Sequence, residues 1–594
     1  MAVLVAILEE NKCLKKVVRM FVRITSAIVL LMLSTFVVAQ SQLFLVGGSW
    51  KTCGSYGTSA CKDDVSFPES AKTQNSYRIS KDNIAQLKTL TAWQEQDKQL
   101  KGAVLNVLQN FLALHASKTF TKSEFQDKLA DLSITLSGET ITAKKLLSGL
   151  PDRLYYPIHD VLEAPSKAAD GSFIREQASV IGTKYQSSQQ IYQAFIEAVK
   201  KVTPKGQTPV VLVSTASGYD VFAAADYYLD IFASLGVDAQ WLPIEATMAK
   251  LLDKGHCQNL ATARADYVGV YNRETVYPYL AEYQQQFCQN PAQLAQLAQK
   301  ANGIFFNGGD QSLTWQSFVN PQGEDRPWLA ALRNKFNKGK LIISGTSAGT
   351  AVQSGKPGAS EAGMITGGTS DGAMIVGAEA KAPWIERVDP HSSIRPVTYH
   401  AEGGLKFFPY GVLDTHFSER GRQLRLAKLV LSSNARFGFG VDETTALVTT
   451  PIDADNAKFE VVGQNGVYIV EQTQKSLNQP TTISYTSHYL VSGQRFELKD
   501  GKLVFPEADF VPFVAELDEI VSDKDLTQKT EYRDLLESQI AVAAKRSLAV
   551  FTNNDKLFTL SLQFNEHSAI SKTQSMDNMR GYIHAQVDAK VAEL

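Results

Sequence analysis

The chain has 594 residues, 44% of them hydrophobic and 20% charged, with a formal net charge of -2. This is an ordinary globular composition, with room for about two to four domains around buried cores. Phosphate binding needs a clustered basic face, and outside the N-terminus and one arginine-rich stretch there is none, so a nucleic-acid partner is not expected.

The first 39 residues read as an export signal. Lys15, Lys16, Arg19 and Arg23 form a basic region, and Ile24 to Val38 is an apolar run broken only by Thr and Ser. Val37-Val38-Ala39 offers a small-residue cleavage site before Gln40, and Met20 is an alternative start that would give a more usual signal length. The apolar run is short for a bilayer and lacks a flanking stop-transfer charge, so no stable membrane span is expected after cleavage. A periplasmic or extracellular location follows. Cys13 leaves with the signal, and the remaining Cys53, Cys61, Cys257 and Cys288 suit two disulfides. Cys53–Cys61 and Cys257–Cys288 are the expected pairs because each closes a short local loop. A zinc site is the rival, but no pair has C-x-x-C spacing, and His256 beside Cys257 adds too little. Neither a metal nor a cofactor is expected.

Leu43-Phe44-Leu45-Val46-Gly47-Gly48 reads as a buried parallel strand entering a tight turn. The polar stretch 54–185 reads as an inserted helical subdomain, with Val104, Val107, Leu108 and Phe111 at helical spacing and a second helix near Phe125 to Leu132. From about 190, helices and strands alternate. Ile191 to Val199 is amphipathic. Pro209 to Val213 is a buried strand leading into Ser214-Thr215-Ala216-Ser217-Gly218. Ala223 to Leu235 is a helix stopped by Gly236. Ile304-Phe305-Phe306 and Leu341-Ile342-Ile343 repeat the strand-then-glycine pattern. The fold class expected is α/β, a mainly parallel sheet covered by helices on both faces, with chemistry at the strand C-terminal ends. From about 452 strands dominate, as in Phe459 to Val462 and Gly466 to Val470, and the tail ends in helical signals from Met579 to Leu594. The division read from these shifts is 1–39 signal, 40–53 with 186–505 as the main α/β domain, 54–185 insertion and 506–594 a mixed C-terminal extension.

The sharpest chemical signal is Gly345-Thr346-Ser347-Ala348-Gly349 directly after a strand. A Ser among small residues between strand and helix is a nucleophile elbow, and the amides of the following helix suit an oxyanion. The bland alternative is a strand-to-helix turn with a capping Ser. A free Ser needs a base. Of nine histidines, His416 has the most informative setting, after the apolar Gly411-Val412-Leu413 and before a helix, at the sheet edge where Ser347 also lies. His391, His400 and His488 lack this setting and read as surface or core residues. Glu443 at another strand edge is the choice for orienting the imidazole, with Asp442 and Asp414 as competitors. Gly308-Gly309 follow a strand, so the Gly309 and Ala348 amides can serve a developing oxyanion together. No Walker pattern or G-x-G-x-x-G is present, which gives a nucleotide little support.

Together these motifs resemble cyanophycinase and related serine exopeptidases, whose fold is similar to class I glutamine amidotransferases but carries Ser in place of Cys. The matching motifs are Gly308-Gly309-Asp310-Gln311, Gly345 to Gly349, Asp414-x-His416-Phe417 with Arg420, Arg422, Arg425 and Leu426, and Gly440-Val441-Asp442-Glu443. They cover the Leu43 strand and about 190 to 500. The resemblance implies a Ser347, His416, Glu443 triad. It also implies a substrate pocket lined by Gln311, Asp414, Arg420, Arg422 and Arg425, and hydrolysis of an aspartate polymer whose side chains carry arginine. Arginines can hold substrate carboxylates bidentately while Asp414 and Gln311 accept from its guanidinium. Thr415 stands where true cyanophycinases have Gln, which removes one amide from the pocket. The insertion and the tail are also additions to the family core. The expected partner is a peptide, cyanophycin or a related β-aspartyl peptide, and a homodimer is the assembly kept in view. The alternatives are an α/β-hydrolase esterase, in which the acid would precede the His in chain order, and an inactive binding relative.

Overall fold

A computed structural model describes residues 40–356, 363–383 and 394–594. The expected export signal and His391 lie outside the described residues.

Leu43–Val46 is a strand whose four side chains are all buried, as an apolar run covered on both faces must be. It lies at the centre of a nine-stranded sheet. On one side come, in spatial order, Ile342–Thr346, Gly303–Phe306, Val210–Ser214 and Asp238–Trp241, all parallel. On the other side Thr445–Pro451, Ala457–Gly463, Arg495–Lys499 and Lys502–Val504 follow, all antiparallel. The expectation of a mainly parallel sheet is therefore corrected to a half-parallel one. After Val441 the chain runs in hairpins, and short loops join antiparallel neighbours, whereas parallel strands need a crossover. The architecture is mixed α/β with a β-rich C-terminal region. Helices Gln186–Val202 and Val221–Ala233 alternate with the parallel strands.

A second sheet of eleven strands begins with Val412–Thr415 parallel to Phe437–Val441. It continues through Gly466–Glu471, Thr482–Val491, Arg580–Glu593, Lys556–Gln563, Ala544–Asn553 and Leu517–Ser522. The helix expected from Met579 to Leu594 is this long strand Arg580–Glu593. Ala585, Val587, Ala589 and Val591 are buried in strict alternation, a period of two that alanine, lysine and glutamate content had disguised as helix.

The 54–185 stretch contains helices Lys81–Lys88, Lys98–His115, Lys122–Ala130, Ala143–Ser148 and Asp152–Leu162. Val104, Val107, Leu108 and Phe111 line a core cluster made of residues from this stretch. It is not purely helical, since it also carries a Ser133–Leu136/Glu139–Thr142 hairpin and a three-stranded sheet. Ser41–Leu594 form one compact unit. The sulfurs of Cys53 and Cys61 are bonded, as are those of Cys257 and Cys288. Among the described residues, no helix is long and apolar enough to cross a membrane.

Candidate active site

Four strand ends of the parallel half meet at one edge, and their loops carry Ser347, Ala348, Gly309 and Gln311 among the sequence-selected groups. Leu43–Val46 ends in Gly47-Gly48, Gly303–Phe306 in Asn307-Gly308-Gly309, Val210–Ser214 in Thr215 to Gly218, and Ile342–Thr346 in Ser347. Ser347 is half-buried with φ 54° and ψ -116°, followed by a single helical turn, Ala348–Ala351. The turn is tied down from beneath: the Ser347 amide donates to the Val46 carbonyl at 3.0 Å, and the Thr350 hydroxyl bonds the same oxygen at 2.8 Å. A Cβ at Gly349 would stand 2.2 Å from the Phe306 carbonyl oxygen, so only glycine lets the turn pack this closely on the neighbouring strand. Because the helix is one turn long, the local amides rather than a long macrodipole face the site.

His416 follows Val412–Thr415, which belongs to the second sheet, not to the edge that carries Ser347. The two sheets meet through backbone, the His416 amide donating to the Gly47 carbonyl at 2.6 Å. Gly48, at φ 118°, lies flat against the imidazole, and a Cβ there would come within 2.3 Å of Cε1. His416 Nε2 lies 2.8 Å from Ser347 Oγ, and Nδ1 lies 2.6 Å from Glu443 Oε1. An ionised Glu443 can only accept, so Nδ1–H donates to it and Nε2 is left to accept the Ser347 proton. Burial pushes the His416 pKa below its ordinary value, with Arg420 and Arg422 adding to this and Glu443 opposing it. Glu443 is held down to about 2, chiefly by its hydrogen bond to His416, with the Ser49 side chain helping.

The competitors for the acid role are engaged elsewhere. Asp442 is fully buried and accepts from the Tyr489 hydroxyl at 2.6 Å and the Ser418 amide at 2.9 Å. Asp414 is buried and takes Arg425 on both oxygens at 2.8 and 2.5 Å, with Arg422 at 3.3 Å. Asp414 therefore meets the chain's own guanidinium groups, and its carboxylate is not the open acceptor the sequence suggested. Thr415 is buried beside it, its carbonyl accepting from Arg422 at 2.5 Å. Arg425 also donates to the Gly368 carbonyl at 2.7 Å. Of the three arginines, Arg420 is the exposed one, close enough to His416 and Glu443 to act on both electrostatically.

A Cβ at Gly308 would lie 3.3 Å from the Ser347 Cβ, which measures how near the glycine loop passes Ser347. The amides of Gly309 and Ala348 have no hydrogen-bond acceptor among the described residues. Gln311 Nε2 donates to the Ile365 carbonyl at 2.6 Å, pinning the Met364–Gly367 strand beside the loop. His400 bonds the Gly403 carbonyl and stacks edgewise on Trp315, away from this cluster.

Sequence reasoning missed several supports. The sequence reads Gly48 as part of a turn only and does not single out Ser49. Glu419 accepts from the Glu443 amide at 3.1 Å and pairs with Arg533 at 3.0 Å, which brings the Glu531–Ala541 helix up to Glu443. The paired glycines at the end of a strand were a visible signal; nothing local to Arg533 distinguishes it from a surface arginine.

No protein-family model matches the chain. Cyanophycinase of Trichormus variabilis (strain ATCC 29413 / PCC 7937) is 30% identical over 206 residues, 33% of this chain and 57% of that protein. Cyanophycinase of Synechococcus elongatus is 30% identical over 195 residues, 33% and 47% respectively. The chain thus spans about half the length of these curated relatives. A solved peptidase structure from an acI-B1 Actinobacterium aligns at a TM-score of 0.27 and 14% identity, over 52% of this chain and 92% of that one. The chain is similar to cyanophycinases over a third of its length.

Proposed function

We propose that this chain is an exported serine-type exopeptidase that hydrolyses amide bonds of cyanophycin or related β-aspartyl peptides through an acyl-enzyme. The observation that carries the reading is the unbroken line from Ser347 Oγ through both ring nitrogens of His416 to Glu443, at 2.8 and 2.6 Å. His416 takes the Ser347 proton as the oxygen attacks the amide carbon. Glu443 orients the ring and stabilises its charged form. The Gly309 and Ala348 amides receive the oxyanion. His416 then returns the proton to the leaving amine, and water, activated by the same base, releases the acyl group. Arg420, exposed beside the line, is the cation for a substrate carboxylate, and the Gln311 carbonyl oxygen is the acceptor left for a guanidinium.

The fold assigned is that of the class I glutamine amidotransferases, with the chemistry in 40–53 and 186–505, the insertion in 54–185 and the extension in 506–594. Two disulfide pairs suit an oxidising compartment. The test is to incubate purified protein with cyanophycin and a panel of β-aspartyl and α-linked peptides, identifying products by mass. β-Aspartyl-arginine dipeptides are expected. Ser347→Ala should lower turnover on the order of a millionfold while its circular dichroism stays native. Retained turnover in that variant overturns the assignment.

A further inference from the structure

Far along the chain from Ser347, His416 and Glu443, the helix Glu531–Ala541 sends one cation back toward them. Its Tyr532 is buried, and the Tyr532 hydroxyl lies 2.9 Å from that of Tyr468, whose ring stacks on Phe417. The helix is thereby seated beside the turn that follows His416. The next residue, Arg533, reaches two carboxylates, Glu419 at 3.0 Å and the fully buried Asp442 at 3.6 Å. Asp442 has other donors in the Tyr489 hydroxyl and the Ser418 amide. Glu419 takes Arg533 on one oxygen and the Glu443 amide on the other. The amides on either side of Glu443 are held by backbone, that of Asp442 by the Gly466 carbonyl at 3.2 Å and that of Thr444 by the Gly48 carbonyl at 2.9 Å. The Glu443 amide rests on a side chain, and that side chain is gripped by Arg533. Burial and the Asp442 charge push the Glu419 pKa up, and the Glu443 amide and Arg533 oppose them.

We propose that Arg533 is a positioning residue for the hydrolysis, acting through Glu419 to hold the Glu443 backbone where its carboxylate meets His416. This role presupposes the serine-peptidase reading above and gives the β-rich C-terminal region a part in that chemistry. A carboxylate holds an amide N–H more strongly than a neutral carboxyl does, and the Arg533 guanidinium favours the ionised form of Glu419. The Glu443 carboxylate must stay within hydrogen-bond reach of His416 Nδ1, 2.6 Å away. A misplacement of about 1 Å in such a constellation can cost roughly a hundredfold in rate. Without Arg533 one of three consecutive amides loses its firm hold while its neighbours keep theirs, so a smaller loss, about tenfold, is expected. It should fall on kcat, because the Arg533–Glu419 pair acts on Glu443 and not on the substrate.

The test compares the full chain with Arg533→Met and Arg533→Lys, reading the rate at which a fluorophosphonate labels Ser347, a measurement that needs no known peptide. Arg533→Met should label about tenfold more slowly with unchanged circular dichroism, and Arg533→Lys should restore most of the rate. Arg546→Met, which removes a partly exposed arginine paired with Glu519, should label as the parent does. On a cleaved peptide the loss should appear in kcat with KM unchanged. In a Glu443→Gln background, adding Arg533→Met should have no further effect, because residues acting in one line are not additive. Undiminished labelling of a folded Arg533→Met, or the full loss repeated in the Glu443→Gln background, overturns the assignment. If Arg533→Met does not fold, Glu419→Gln, of the same shape, carries the same expectation, and its undiminished labelling overturns the assignment. A parent that is not labelled at all sinks the serine-peptidase reading instead. The far-downfield proton resonance of His416 Nδ1–H, identified by its loss in Glu443→Gln, then decides the positioning by itself. It should broaden or move upfield in Arg533→Met; a resonance unchanged there, or missing from the parent, overturns the role of Arg533.

Discussion

Ser347 and His416 both hold positive φ, 54° and 46°, which an L-residue keeps only when its surroundings dictate it. In each case the force is visible: the Ser347 amide is anchored to Val46, and the His416 amide to Gly47, so adjoining residues of one strand end hold both side chains in place. The electrostatics set a pH dependence. His416 must be neutral to act as base, and its pKa is pushed below 6.5 by burial. The acid limb in kcat/KM should therefore have its midpoint below the ordinary histidine range. Glu443 raises that pKa, so Glu443→Gln should move the limb to still lower pH and reduce kcat by roughly 10³ to 10⁴. A pH–rate profile whose acid limb moves upward in the variant would contradict the assigned link between the two side chains.

At the level of elements, the helix Gln423–Ser432 is fastened to the Val412–Thr415 strand by charge as well as by apolar packing. Asp414 is at the strand and Arg425 on the helix, both buried, joined by two hydrogen bonds. Burial alone would raise the Asp414 pKa, but Arg425 and Arg422 override it and hold it below the ordinary value. Arg425→Met takes both of those bonds from the buried carboxylate and leaves it only Arg422 at 3.3 Å, so it should destabilise the fold by about 3 kcal/mol at pH 7. With the Arg425 guanidinium gone, burial weighs more heavily against the charged form and lifts the Asp414 pKa in the variant, and protonation removes a charge that Arg422 alone compensates less well. The gap between variant and parent should therefore narrow as pH falls. Urea denaturation at pH 7 and pH 5 measures both; a loss that is small at pH 7, or constant with pH, would show the pair to be dispensable.

On the scale of the whole molecule, the C-terminal extension is continuous with the sheet that carries His416. Arg580–Glu593 pairs along Thr482–Val491 on one side and Lys556–Gln563 on the other, and Arg533 reaches Glu419 behind Glu443. A chain ending at 505 would expose the ten-residue edge of Thr482–Val491 and leave Glu419 without its cation. Such an edge invites pairing between chains. The truncated protein should aggregate and lack near-ultraviolet circular dichroism; a soluble, cooperatively unfolding product would show that the extension is an independent module.

Local chemistry made part of this legible. The run Leu43 to Val46, the glycines flanking Ser347 and the helical spacing of Val104, Val107, Leu108 and Phe111 each state their burial or turn in a few adjacent residues. The selection of Ser347, His416 and Glu443 came from strand-edge settings and from a resemblance, while Asp442 and Asp414 stayed open because sequence does not say which carboxylate faces an imidazole. Tertiary structure separated them through partners remote in the chain, Tyr489 for Asp442 and Arg425 for Asp414. It also turned the tail from Met579 into a strand, because an alternating segment packed between two strands buries one whole face of side chains, and that burial outweighs helical propensity. What the sequence determined by itself is the set of segments whose own period or turn chemistry leaves one choice. What only the folded chain decided is which distant groups meet, since pairing and register depend on surfaces that exist only once the sheets have formed.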